Sequence, residues 1–353
     1  MQSRTADPRI RSQSFPKTRA GSTVRLHANE GSAGDGTPTV LDVTFYGVRG
    51  STPCCDDRSV RYGGNTSCVL LQAADQDPII LDLGTGLRYY GDVFARTSTA
   101  PFRGTALVTH LHWDHVQGLP FFRPLHSPGA HLDIVGTGGE RTLREAFGEF
   151  MTPPYFPIRV DDLIGNVSFR DVHDETLQIG DAIVTVRPVP HVGATNGYRV
   201  DWAGASVAYV SDHQQPMHDG TSVADSVLEL CDGVDLLIHD AQFTDDEFAD
   251  RPHWGHCTIE YALEVARQAK VRALVLFHHD PSHHDEFLDG VSADASRRSA
   301  QLGLGAVFTA YEGLRVTLGP PSRDAMSTID LRDLCAQPHD RHKAVRLSTA
   351  TGK

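Results

Sequence analysis

Thr109 to His115 reads T-H-L-H-W-D-H and places four metal-binding side chains, His110, His112, Asp114 and His115, within six residues. Imidazole nitrogens and a carboxylate at this spacing suit zinc, with iron or manganese also open. His110 and His112 are two apart and can point the same way. Asp114 and His115 follow a turn and can reach a neighbouring position. One ion cannot easily use all four groups from so short a segment, whereas two ions a few ångströms apart can. Apolar sequence flanks the cluster on both sides, so part of it is buried, and buried polar groups demand partners.

The elements around the cluster follow from hydrophobic patterning. Gly104 to Val108 is short, apolar and β-rich, a buried strand that delivers the cluster at its end. Val116 to Phe122 opens a helix or tight loop. Further strands are expected at Leu41 to Tyr46, Ser67 to Gln72, Ile79 to Leu83, His131 to Val135, Val167 to Arg170, Thr176 to Ile179 and Ala182 to Val189. A hairpin of Gly197 to Asp201 with Ser206 to Val210 follows, then strands at Leu236 to Ile238, Ala273 to Phe277, Ala306 to Phe308 and Leu314 to Leu318. Helices are expected after Gly86 to about Ala95, over Glu140 to Phe150, Ile259 to Ala269 and Ala293 to Leu302. The prolines of Met151 to Pro157 exclude regular structure there. Strand after strand ends in a histidine or aspartate: His110, His191, Asp212, His239 and His278. Strands of one sheet that end at a common edge bring such residues to one site.

Composition narrows the partners. The chain has 353 residues, 40% of them hydrophobic, and a formal net charge of -13. That charge argues against an extended nucleic-acid surface, but bound divalent cations would invert the field locally for a small anion. The six cysteines form no C-x-x-C pair, and Cys54 and Cys55 are adjacent, which fits reduced thiols in a cytoplasmic protein. No stretch is long and apolar enough to span a membrane. Residues 1–38, rich in Ser, Thr, Arg and Gly, read as a disordered tail, and their basic character also fits a transit peptide. Residues 39–319 read as the domain. Residues 320–353 read as a second tail with at most a short helix near Ile329 to Cys335.

The string T-H-L-H-W-D-H resembles the H-x-H-x-D-H signature of metallo-β-lactamase fold hydrolases, and His191, Asp212 and His278 follow in that family's order. The resemblance covers roughly Leu41 to Leu318. It implies an α/β fold, an αββα sandwich of two mixed β-sheets with helices outside and a dinuclear metal site at the sheet edge. It also implies two divalent ions, zinc first, one held by His110, His112 and His191 and the other by Asp114, His115 and His278, with Asp212 between them. Asp114 then stands at the reaction centre as well as on a metal. Asp82, in Asp82-Leu83-Gly84, would orient a ligand histidine, although an aspartate there also suits a plain turn.

Two segments point to a branch. His239-Asp240-Ala241-Gln242-Phe243 and Gly255-His256-Cys257-Thr258 resemble the H-E-A-T-F and G-H-S-T motifs of ribonuclease Z and phosphodiesterases of this fold. Asp240 stands where that pattern has Glu, and Gln242 where it has Thr. The resemblance implies a bridging hydroxide as nucleophile and His256 as proton donor to the leaving group, positioned by Asp240 or His239. The interval between His191 and Asp212 holds only a hairpin, without room for the RNA-gripping arm of ribonuclease Z. The expected substrate is a small anionic phosphodiester such as a 3′,5′-cyclic nucleotide. Tyr155 or Phe156 is available to stack on a base or to pin its own loop. The rival readings are a ribonuclease Z-like endonuclease, a thioester or lactone hydrolase, and a metal-binding scaffold without turnover. A homodimer is left open.

Overall fold

The computed structural model describes residues 23–27 and 40–319. In chain order its strands are β1 Thr23–His27, β2 Leu41–Gly47, β3 Cys68–Ala73, β4 Ile79–Leu81, β5 Arg103–Leu107, β6 His131–Gly136, β7 Asn166–Asp171 and β8 Glu175–Ile179. The remainder are β9 Ala182–Pro188, β10 Asn196–Trp202, β11 Ala205–Val210, β12 Leu236–Asp240, β13 Ala273–Phe277, β14 Ala306–Thr309 and β15 Arg315–Gly319. The helices are α1 Gly86–Thr97, α2 Trp113–Val116, α3 Leu143–Phe150, α4 Asp225–Cys231, α5 Asp245–Asp250, α6 Ile259–Gln268 and α7 Asp285–Ser299.

The strands form two mixed sheets, ordered β1-β15-β2-β3-β4-β5-β6-β7 and β14-β13-β12-β11-β10-β9-β8. Each has a hairpin-built antiparallel part. Each also has a parallel part, β4 to β7 in one and β11 to β14 in the other. The two sheets face each other across a core that joins Phe45, Leu71 and Leu107 to Val184, Tyr209 and Phe277. A second apolar layer packs α1 and α3 on the first sheet through Leu87, Tyr90, Leu143 and Phe147. A third packs α4 and α6 on the second sheet through Val227, Leu230, Ala262 and Val265. The result is the expected αββα sandwich. Strands β12 and β13 are buried at every residue, as central parallel strands covered on both faces must be.

The differences from expectation lie where patterning is weak. Thr23–His27, inside the stretch expected to be a disordered tail, is a strand in parallel register with β15. The open hydrogen-bonding edge of β15 supplies the partner that local sequence does not announce. The rest of both tails, including the helix expected near Ile329 to Cys335, lies outside the described residues. Helix α7 starts at Asp285, well before Ala293, because His284 caps it by accepting from the Phe287 amide. Gly290 and three aspartates had hidden its period. Helices α4 and α5 are short and were not expected. Among the described residues, Cys54, Cys55, Cys68, Cys231 and Cys257 are free, and no helix is long and apolar enough to cross a membrane.

Candidate metal centre

The parallel halves of the two sheets deliver their loops to one edge. Asp82 follows β4, the T-H-L-H-W-D-H segment follows β5, Asp212 follows β11, and His278 follows β13. His191 arrives from β9. This is the region beyond the carboxyl ends of the strands, where open α/β sheets bind ligands.

Among the described residues, side-chain nitrogens and oxygens converge there in five overlapping sets, two of which share no residue with each other and match the expected ligand groups, His110 with His112 and His191, and Asp114 with His115 and His278. In the first, His110 Nε2 lies 2.8 Å from His112 Nδ1, and His191 Nε2 lies 3.3 Å from the same atom. In the second, Asp114 Oδ2 is 3.1 Å from both His115 Nε2 and His278 Nε2. Asp212 sits between the groups. Its Oδ1 is 3.8 Å from His110 and from His191, and its Oδ2 is 3.2 Å from His115 and 3.5 Å from His278.

Hydrogen bonds on the far side of each ring decide which nitrogen faces the centre. His115 Nδ1 donates to Asp82 Oδ2 at 2.8 Å. His191 Nδ1 donates to the Gly255 carbonyl at 2.6 Å, and His278 Nδ1 to Gln242 Oε1 at 2.9 Å. The Thr109 hydroxyl, 3.0 Å from either oxygen of Asp82, gives its hydrogen there and so accepts from His110 Nδ1 at 3.0 Å. Each of the four rings thus holds a proton on Nδ1 and turns Nε2 inward, the arrangement that metal-ligating histidines require.

Asp82 is the hub of this outer layer. It also accepts from the Thr109 amide at 2.8 Å and the Tyr209 hydroxyl at 2.9 Å. On the other flank a closed ring of contacts runs from Gln242 Nε2 to Ser51 Oγ at 3.2 Å and from the Ser51 amide to Asp114 Oδ2 at 2.7 Å. It returns through His278 to Gln242. Ser51, Asp82 and His278 all adopt left-handed backbone, φ 60°, 59° and 58°, a strained choice for non-glycine residues that surrounding contacts must hold. A Cβ on Gly255 would stand 2.4 Å from the His191 ring, so only glycine lets that carbonyl reach its partner.

The donor set fits divalent cations. Asp212 is 1% exposed and neither of its oxygens has a hydrogen-bond partner. A buried carboxylate without compensation costs on the order of several kcal/mol, and a cation on either side of it removes that cost. Burial holds His110, His112 and His191 below the ordinary histidine value, the neutral form a metal needs. Burial opposes charge on Asp114 and Asp212, yet the surrounding histidines keep both carboxyls well below the usual range. Burial likewise opposes charge on His115 and His278, but the carboxylates Asp114 and Asp212 raise both. In the second group, therefore, a proton competes with a cation.

His256 and Asp240 adjoin this centre. His256 Nδ1 is 3.0 Å from Asp240 Oδ2 and 3.6 Å from Asp212 Oδ1. Asp240 is fixed by the amides of Gln242 at 2.9 Å and His213 at 3.1 Å. His239 corrects the sequence expectation, because it does not join the cluster. Its Nδ1 bonds the Asp240 carbonyl at 2.7 Å and its Nε2 meets His213 Nδ1 at 3.0 Å. Neighbours on a strand point to opposite faces, so Asp240 looks into the centre and His239 looks away, with burial holding its ring below the ordinary value. Phe156 packs edge-on against Phe121 at 5.8 Å, while Tyr155 is 82% exposed. Sequence reasoning passed over Thr109, Tyr209, Ser51 and the hydrogen-bonding role of Gln242. For Gln242 the signal was its departure from the family pattern.

Residues 92–279, more than half of the chain, match the beta-lactamase superfamily domain. The chain belongs to that superfamily and is a metal-binding hydrolase of the metallo-β-lactamase fold. It is 26% identical to the ribonuclease Z of Haloarcula marismortui over 291 residues, which cover 67% of this chain and 86% of the relative. Among solved structures it resembles the metallo-beta-lactamase fold protein YhfI from Bacillus subtilis, with TM-score 0.58, 20% identity and coverage of 79% and 99%. It also resembles a diphosphatase from the PhnP family, with TM-score 0.56, 21% identity and coverage of 78% and 96%.

Proposed function

We propose that this protein hydrolyses small phosphodiesters, 3′,5′-cyclic nucleotides among them, at a centre of two divalent cations, zinc first. One cation would be held by His110, His112 and His191, the other by Asp114, His115 and His278, with Asp212 shared. Such a pair supplies an activated water and positive charge against phosphate oxygens. The chain's own residues do the rest. Asp212 spans the two groups and fixes their spacing. Asp82, Gly255 and Gln242 hold the ligand rings in one tautomer. Asp240 holds His256 by Nδ1, leaving its Nε2 to deliver a proton to the departing alkoxide.

The Asp240–His256 pair beside Asp212 carries this reading. An alkoxide leaving group needs a proton, whereas a thiolate does not, so the pair favours an oxygen ester. A ribonuclease Z among the relatives fits phosphoester chemistry. The same similarity favours RNA as a second reading, against which stand the net charge of -13 and the hairpin β10–β11 that fills the interval from His191 to Asp212. The free cysteines fit a reducing, cytosolic setting. The test is a substrate panel with and without chelator: bis-p-nitrophenyl phosphate, 3′,5′-cyclic nucleotides, a thioester, nitrocefin and precursor tRNA. Chelator-sensitive turnover of the first two is expected. Turnover confined to the thioester, nitrocefin or the RNA overturns the proposal.

A further inference from the structure

Arg49 is a charged side chain that the chemistry above leaves unused, and it is completely buried. Arginine is almost never fully buried unless paired. Its guanidinium donates from Nε to the Gly63 carbonyl at 2.8 Å and from Nη1 to the carbonyls of His283 at 2.6 Å and Asp280 at 3.2 Å. All three acceptors are main-chain carbonyls, and Nη2 has no partner. Burial opposes the charge, so the group is costly where it stands. An apolar side chain would avoid that cost but could not hold carbonyls from two separate loops. A lysine ammonium, a single point on a flexible stem, could not reproduce the planar fork.

The backbone around Arg49 joins the same two loops. The Val48 and Arg49 amides donate to the Asn65 carbonyl at 2.8 and 2.9 Å. On the other side the His279 amide donates to the Val48 carbonyl and the Gly50 amide to the His279 carbonyl, each at 3.0 Å. His279 is thus bonded through both its amide and its carbonyl, directly after His278, whose left-handed backbone needs such support. A Cβ on Gly50 would stand 2.5 Å from the His278 ring, so the chain runs flush against that side chain. One residue further, the Ser51 amide holds Asp114 Oδ2 at 2.7 Å. Three consecutive residues therefore grip the loop after β13, pack on His278 and hold Asp114. The first ligand group is held elsewhere, by Thr109 and Gly255.

We propose that Arg49 is a positioning residue for the second ligand group: its fork locks residues 280–283 to the segment 48–51 and so fixes the spacing of Asp114 and His278. The proposal rests on the two-cation reading and gives one of the two positions a support that the other lacks. Arg49 bonds neither ligand side chain. It acts through Gly50, Ser51 and His279, and its loss should leave His110, His112 and His191 as they are.

The test titrates zinc into the metal-free full chain by calorimetry, in wild type, Arg49→Lys, Arg49→Met and His278→Ala. Wild type should take up two equivalents, and the one lost in His278→Ala identifies the second group. Arg49→Met should weaken that same equivalent about tenfold or more, the scale for losing an outer support of a metal ligand, and leave the other unchanged. Arg49→Lys keeps the charge and a donor, so it should recover part of that affinity. In the His278→Ala background, Arg49→Lys should change nothing in the equivalent that remains. Circular dichroism of the metal-free proteins reports folding. Where Arg49→Met does not fold, Arg49→Lys decides, alone and in the His278→Ala background. Two equivalents weakened alike, as a merely structural role would give, overturn the assignment, and so do two equivalents left unchanged. A single equivalent in wild type overturns the two-cation reading and the assignment with it. Turnover is not read, so the result stands apart from the choice of substrate.

Discussion

Replacing His256 with alanine separates proton donation from metal binding. The ring is 8% exposed and 3.0 Å from Asp240. After its removal Asp240 keeps the amide bonds from Gln242 and His213, so the carboxylate is not stranded. The fold should lose only about 1–3 kcal/mol, the range for one buried hydrogen bond. General acid help is worth ~10²–10⁴-fold, or about 2.7–5.4 kcal/mol of barrier at 1.36 kcal/mol per tenfold. That loss should appear in kcat for a cyclic nucleotide, whose leaving group is an alkoxide. It should nearly vanish for bis-p-nitrophenyl phosphate, whose leaving phenolate departs without a proton. The assay is steady-state kinetics on both substrates, with metal content measured on the same samples. His256 also lies within ligand reach of His191 and Asp212. A fall in metal content that tracks activity, or an equal loss on both substrates, refutes the proton-donor role.

Three further outcomes follow from the geometry. Asp82→Ala removes the acceptor for His115, Thr109 and Tyr209 together. Metal affinity by chelator competition should fall about 10–100-fold, the usual effect of losing an outer partner of a ligand histidine, and unchanged affinity contradicts it. Gln242→Met keeps the volume but cuts the link between His278 and Ser51. It should weaken one equivalent of metal, that of the second ligand group, by a similar factor, and calorimetry that shows both equivalents weakened equally refutes the assignment. For pH the sign is set by His115 and His278, both raised by Asp114 and Asp212 despite burial. A raised value favours the protonated ring, and that proton must leave when a cation arrives. Metal uptake at pH 7 should therefore release protons and weaken as pH falls. Calorimetry in buffers of different ionisation enthalpy measures the release, and a buffer-independent heat contradicts it.

Much of the candidate centre was legible because its clustered side chains sit just past buried strands. Continuous apolar runs such as Ala273 to Phe277 announce a strand, and the polar residues within the next few positions fall at the sheet edge by construction. His110, His191, Asp212 and His278 were readable in this way. His239 was misread although the correction was available, since it and Asp240 occupy one strand and must face opposite ways. The outer hydrogen bonds were not legible. Ser51, Gly255 and Gln242 lie on loops whose partners are 63, 64 and 36 residues away in sequence, and nothing in local pattern encodes such pairings. Helix α5, Asp245–Asp250, buries only Phe248 and is marked chiefly by its Thr244–Glu247 capping box. A pattern search for an apolar stripe passes over so short an element.

The most direct measurement is metal stoichiometry in wild type and in Asp212→Asn, by elemental analysis alongside chelator-controlled turnover of bis-p-nitrophenyl phosphate. Wild type should carry about two equivalents of divalent metal per chain and lose turnover when they are stripped. Asp212→Asn should lose metal from the site and turnover with it. Full turnover in the stripped protein, or an Asp212→Asn protein that keeps both metal and activity, would contradict a two-cation centre shared through Asp212.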